Sequence, residues 1–188
     1  LAHEIHPGTA ASCAADFLRL VKICDGDACL AVNADPSHCW EGESWEDRFL
    51  NVGGRIAGCH MKNHRIRPGF PLRSMEPNWQ QRAMQFTQLD RGAVDLIGYA
   101  EQMLQVGYAQ RYCLAHGTET APLVVEAEGA YADLDEISAS GIDYVAKRCC
   151  FKVAAGAFEA GMGAAEGAAE QPSGADATLP ETITHHPV

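Results

Sequence analysis

Four short apolar runs, each ending in a side chain able to hold a metal and each followed by helical periodicity, constrain this chain more than any other feature. The runs are LAHEIH at the start, CLAVNA at 29–34, RIAGCHM at 55–61 and LVVEAE at 123–128. Helical patterns follow them. One spans about 11–23, where Phe17, Leu18, Leu20 and Val21 recur near the helical period and Gly26 closes the segment. A second opens at Ser44 with Asp47 three residues on, an approximate capping box. A third covers about 94–104 and closes at Gly107, and a fourth covers Leu134–Arg148. This alternation predicts βα units around a parallel sheet, with the helices' apolar stripes packed on it. YCLAH at 112–116 also reads as a strand; His116 and Glu119 would then enter the site in place of the last unit's acids. The segment 63–90, rich in Pro and Arg, reads as a long loop suited to covering a substrate.

The polar residues at the run ends are Glu4, Asp35, His60 and Glu126. Parallel strands bring their carboxyl ends to one face, where sites are built, so these four converge. Three carboxylates and one imidazole make a mostly oxygen shell, suited to Mn, Mg, Co or Zn with positions left for substrate. Taken singly, an acid at a strand end is most often a cap or a surface charge, and His60 equally suits a hydrogen-bonded core histidine. Recurrence at four successive run ends carries the metal reading. Glu128 lies two residues beyond Glu126, faces the same way along a strand and competes with it.

Charge narrows the partner. The chain has 14 basic and 25 acidic residues, net −11; five acids and no base lie in 153–188, leaving the remainder at −6. That balance argues against a nucleic-acid partner, which needs clustered Lys and Arg. No apolar run approaches the roughly 18 residues of a membrane helix. From Ala154 onward Ala, Gly and Glu alternate without a bulky apolar stripe, so 1–152 is expected to fold and 153–188 to form a disordered tail. The eight cysteines form no CxxC pair and fit reduced core thiols in a cytoplasmic protein. Trp40, Phe70 and Trp79 follow the second and third runs, as loop packing or as a wall for a sugar ring.

The strings HEIHPGT, NADPSHCWEG, GCHMKNH, LDRGAVDLIGYAEQMLQVGY and LVVEAE, in this order, resemble the second half of the xylose-isomerase-like TIM-barrel family. The resemblance covers about residues 1–150, with DPSH and the HxK string as its most specific pieces. It implies the last four βα units of a barrel, a divalent metal on Glu4, Asp35, His60 and Glu126, and a sugar or polyol substrate. It further implies that His38 points at a substrate oxygen, that Lys62 lines the pocket, that His6 supports the site beside Glu4, and that Arg65 or Arg67 contacts substrate. Asn63 departs from the family's HxKD pattern.

A cation on a carbonyl and its neighbouring hydroxyl makes an enediolate accessible, and Glu4 and Glu126 on opposite sides of a sugar would move protons, giving an isomerase or epimerase. Two other readings compete: a phosphodiesterase of the endonuclease IV type, weakened by the acidic body, and an inactive half-barrel. The start at Leu1 and a folded part of about 150 residues, against roughly 250 for a full barrel, read as a truncation. The open sheet edges of such a half invite a homo-oligomer.

Overall fold

Residues 1–40, 42–70, 78, 81–128 and 133–150 are described by a computed structural model; the expected tail at 153–188 and Trp79 lie outside them. In chain order the elements are β1 (Ala2–Glu4), α1 (Ala14–Ile23), β2 (Ala31–Ala34), α2 (Trp45–Val52), β3 (Ile56–Met61), β4 (Asn63–Ile66), β5 (Met84–Thr87), α3 (Leu96–Gln105), α4 (Tyr108–His116), β6 (Val124–Val125) and α5 (Leu134–Arg148). The four apolar runs pair as a parallel sheet in the order β1-β2-β3-β6. Mixed α/β architecture built from parallel βα units is therefore what this sequence forms.

Alternation along the strands decides which side chains meet the helices. Val32 and Ala34 of β2 and Cys59 and Met61 of β3 are buried under the helical layer. Asn33, Gly58 and His60 point the other way and are half-buried. The helices contribute Phe17 and Val21 from α1, Phe49 and Val52 from α2, and Leu96, Tyr99 and Met103 from α3. Tyr99 is fully buried, and its hydroxyl donates to the Ala34 carbonyl at 2.9 Å. Side chains start three of the helices. Ser44 accepts from the Asp47 amide, Asp95 from Ile97 and Gly98, and Asp133 from Asp135 and Glu136.

Two expectations from the sequence are corrected. Part of the segment read as one long loop is an antiparallel hairpin of β4 and β5, with Asn63 opposite Thr87 and Ile66 opposite Met84. YCLAH is the end of α4 and not a strand, so His116 and Glu119 stay out of the strand-end face. Gly107 and Gly117, both left-handed, bracket that helix. The thiols are all free, as expected, but only Cys59 and Cys149 are buried, and Cys24, Cys29 and Cys150 are exposed.

Asn63, the departure from HxKD, has a structural reason. Its side-chain amide donates to the carbonyls of Leu89 and Val94 at 2.9 and 3.0 Å, and its oxygen accepts from the His64 and Val94 amides. An aspartate there is acceptor-only and leaves two carbonyls facing a carboxylate. Gly92 makes room for it, since a Cβ at that position would fall 1.9 Å from the Asn63 amide. Asn63→Asp is expected to cost about 2–3 kcal/mol in urea unfolding, because buried acceptors lose their donors.

Candidate metal centre

The DPSH string builds a short 3-10 turn, Pro36–His38, at the end of β2. Asp35 caps it: Oδ1 accepts from the Ser37 amide at 2.8 Å, and Pro36 at the first turn position supplies a preset φ. One carboxylate oxygen is thereby used, and Oδ2 is left for the site. The turn brings His38 back over its own cap, with Nε2 at 3.3 Å from Asp35 Oδ2 and 2.9 Å from Glu4 Oε1.

Glu4, Asp35, His60 and Glu126 meet at the carboxyl ends of β1, β2, β3 and β6, each with one ligand atom within 4.8 Å of the other three. His60 is the hub. Its Nδ1 lies 2.6 Å from Glu126 Oε2, 3.3 Å from Glu4 Oε2 and 3.8 Å from Asp35 Oδ2. Yet Asp35 Oδ2 and Glu126 Oε2 are buried atoms without a hydrogen-bond partner. Three carboxylates and an imidazole converging on one point, with Asp35 and Glu126 oxygens turned toward His38 and His60, fit a divalent cation, which would take the place of the imidazole protons.

Glu128 does not join this group. Its Oε2 lies 2.5 Å from Lys62 Nζ, which also donates to Glu126 Oε1 at 2.7 Å. Lys62 thus ties up one oxygen of Glu126 and leaves the other toward His60. It is 2% exposed, sits 3.9 Å from Asp35 Oδ2, and packs over the Phe86 ring at 4.1 Å.

His6 rests on His38 with ring centres 4.0 Å apart, and its Nδ1 is satisfied by the Pro7 carbonyl at 2.6 Å. Beside them lies a cavity of about 340 Å³, walled by His6, His38, Trp40, Met84, Phe86 and Glu128. Arg65 is exposed on the hairpin, donates to Gln85 at 3.2 Å, and none of its described contacts is with the four strand-end ligands. Arg67 likewise lies over Phe70. Sequence reasoning missed three participants. Asn33, between Glu4 and His60, follows from strand alternation back from Asp35; Phe86 lay in the supposed loop; and Arg48 is buried behind the turn, where no local pattern in the sequence marks it.

Electrostatics bind these groups together. Burial pushes the Glu4 carboxyl up, but hydrogen bonds with His38 and His60 outweigh it and hold it at about 2. Asp35, fully buried, is likewise pulled below the ordinary carboxylate range against its desolvation by His38 and His60. His60 rises to about 11 through Asp35, Glu126 and Glu4, and His38 to about 9, where Asp35 and Glu4 overcome burial. Burial holds His64 at about 4.

A pH profile follows. Glu4 adds stability that is complete above its ordinary 4.5 and lost as pH falls toward 2. His38 and His60 add stability that is complete below 6.5 and lost as pH rises through about 9 and about 11. His64 opposes them on the acid side, losing stability as pH falls from 6.5 through about 4. The metal-free thermal midpoint is expected to peak near pH 6.5 and to fall toward both pH 4 and pH 9–11. A midpoint still rising between pH 8 and 10 would contradict the imidazolium assignments.

No protein-family model and no curated protein sequence matches the chain. Solved structures do. A xylose isomerase domain protein from Planctomyces limnophilus superposes with a TM-score of 0.54 at 17% identity, over 78% of this chain and 43% of that one. A xylose isomerase-like TIM barrel protein from Mycobacterium smegmatis, in complex with magnesium, gives 0.53 at 18% identity, over 78% of this chain and 42% of that one. The fold is that of the xylose isomerase-like TIM barrels, and the chain spans about two-fifths of the length of these neighbours.

Proposed function

We propose that this chain carries the metal-holding part of a divalent-metal-dependent isomerase or epimerase acting on a sugar or polyol. The observation that carries the reading is the convergence of Glu4, Asp35, His60 and Glu126, from four parallel strand ends, within 4.8 Å. The magnesium in the Mycobacterium smegmatis structure supports a hard cation, and Mn, Mg, Co and Zn all suit this donor set. When bound, such an ion supplies positive charge to stabilise an enediolate.

The chain's own residues would supply the rest. Glu4 and Glu126 are held ionised at neutral pH, the state a base requires, and one or both would take a proton from the carbon beside a carbonyl. Lys62 fixes Glu126 through Oε1. His38, protonated at neutral pH and walled into the cavity, would donate toward a substrate oxygen. Trp40, Met84 and Phe86 give that cavity an apolar side for the carbon face of a sugar, and His6 and Glu128 a polar one. The proposed partner is a small polyol in the cytoplasm, not nucleic acid, in line with the net charge of −11.

The test is solvent exchange. With Mn or Mg present, deuterium from D2O is expected to enter the carbon next to the carbonyl of a keto sugar, and neither chelation nor Glu126→Gln should leave it intact. No cation binding by calorimetry, or no exchange across a panel of ketoses and keto polyols, overturns the reading. Among the described residues no helix is long and apolar enough to cross a membrane.

A further inference from the structure

Asn33 sits where the parallel sheet brings three strands together. It pairs in register with Glu4 of β1 and with Gly58 of β3, and the sheet shifts register between Val32 and Asn33. Its side chain leaves the helical layer and enters the strand-end face, 3.3 Å from Glu4 Oε2. The same amide nitrogen lies 3.3 Å from His60 Nδ1 and 3.1 Å from Nε2. The two ring nitrogens flank one carbon, so an in-plane group equally close to both would collide with that carbon. The amide therefore lies over the ring face and consumes neither nitrogen lone pair. Gly58 makes the position available, because a Cβ there would come within 2.5 Å of Asn33 Oδ1.

We propose that Asn33 is a positioning residue for the cation site, a neutral floor that fixes Glu4 by a hydrogen bond and the His60 ring by stacking, with Gly58 as the space that admits it. This rests on the metal reading above. Such a floor sets where ligands point without adding charge, and loss of outer-shell partners weakens metal affinity by about 10–100-fold. The hydrogen bond also leaves Glu4 Oε1 to His38, so the two oxygens of that carboxylate have separate partners.

Two variants reach the same contact from opposite sides. Asn33→Ala removes the amide, and Gly58→Ala pushes it away. Both are expected to weaken Mn or Mg binding, titrated calorimetrically, by about 10–100-fold. In the metal-free protein both are also expected to shift the His60 ring resonances. A role in stability alone would lower the thermal midpoint and leave affinity and ring resonances unchanged. Asn33→Ser, a small polar replacement, gives the same readings if alanine prevents folding. Wild-type affinity and ring shifts in these variants overturn the inference while the metal reading stands. A wild-type protein that binds no divalent cation overturns the metal reading itself.

Discussion

Arg48→Ala is expected to cost about 3–5 kcal/mol of folding stability, the range for breaking a buried ion pair from one side. Arg48 has no exposed surface although it is a charged residue on a short helix, WEDRFLNV. Its Nε pairs with Glu43 at 3.0 Å, and its terminal nitrogens donate to the carbonyls of Ile5 at 3.1 Å, His38 at 3.5 Å and Ser12 at 3.2 Å. Ile5 follows Glu4, His38 ends the turn capped by Asp35, and Ser12 leads into α1. One guanidinium thus holds three connections whose carbonyls have little water to turn to. Glu43 also accepts from the Ala14 amide at 3.0 Å, so α1 loses part of its N-terminal support when Glu43 is released. Lysine should not rescue the loss, because a single ammonium cannot reproduce a fork spread over three carbonyls and a carboxylate. Urea unfolding measures the effect. A loss below about 1 kcal/mol would mean that the carbonyls find other donors, and that Arg48 is not what holds these loops.

The same residue shows where the sequence stopped being legible. Periodicity located the strands, and α5 at Leu134–Arg148, because apolar spacing is a local property. The acids and histidine at the run ends were legible because parallel strands must present their carboxyl ends together, whatever the loops do. The hairpin was not, since NHRI lacks an alternating apolar pattern, the alternation in MQFT is only four residues long, and the two pair across a separation of 24 residues between Asn63 and Thr87. α4 was ambiguous because YCLAH is rich in residues that suit a strand; what decides it is flanking Gly107 and Gly117 and the stacking of Tyr112 on His116, one helical turn apart at 4.1 Å. Asn33 carried no signal as a residue type, since asparagine in a short run reads as a turn former. Arg48 is buried only because distant carbonyls converge on it, which no local window contains.

Asp35→Asn should give the largest change in cation binding, beyond the ~100-fold that outer-shell partners account for. Asparagine keeps an oxygen for the Ser37 amide, so the 3-10 turn and its cap can survive the change. What it removes is the charge on Oδ2, the point shared by His38 at 3.3 Å, His60 at 3.8 Å and Lys62 at 3.9 Å. In its place an amide presents N–H groups to nitrogens that are themselves donors when protonated. A cation there loses a ligand and meets a donor. The metal-free protein is affected as well, because Asp35 does most to raise His60 and is the strongest support of His38 against burial. Its alkaline loss of stability should therefore begin at lower pH than in the wild type. Glu128→Gln supplies the contrast. Glu128 is half-exposed, contacts Lys62 and stays outside the four-ligand cluster, so its removal should change Mn affinity only a few-fold, on the scale of a surface pair. Calorimetric titration of both variants with Mn separates the roles. Equal losses in the two would mean that total negative charge, and not the set of atoms converging on His60, determines binding at this face.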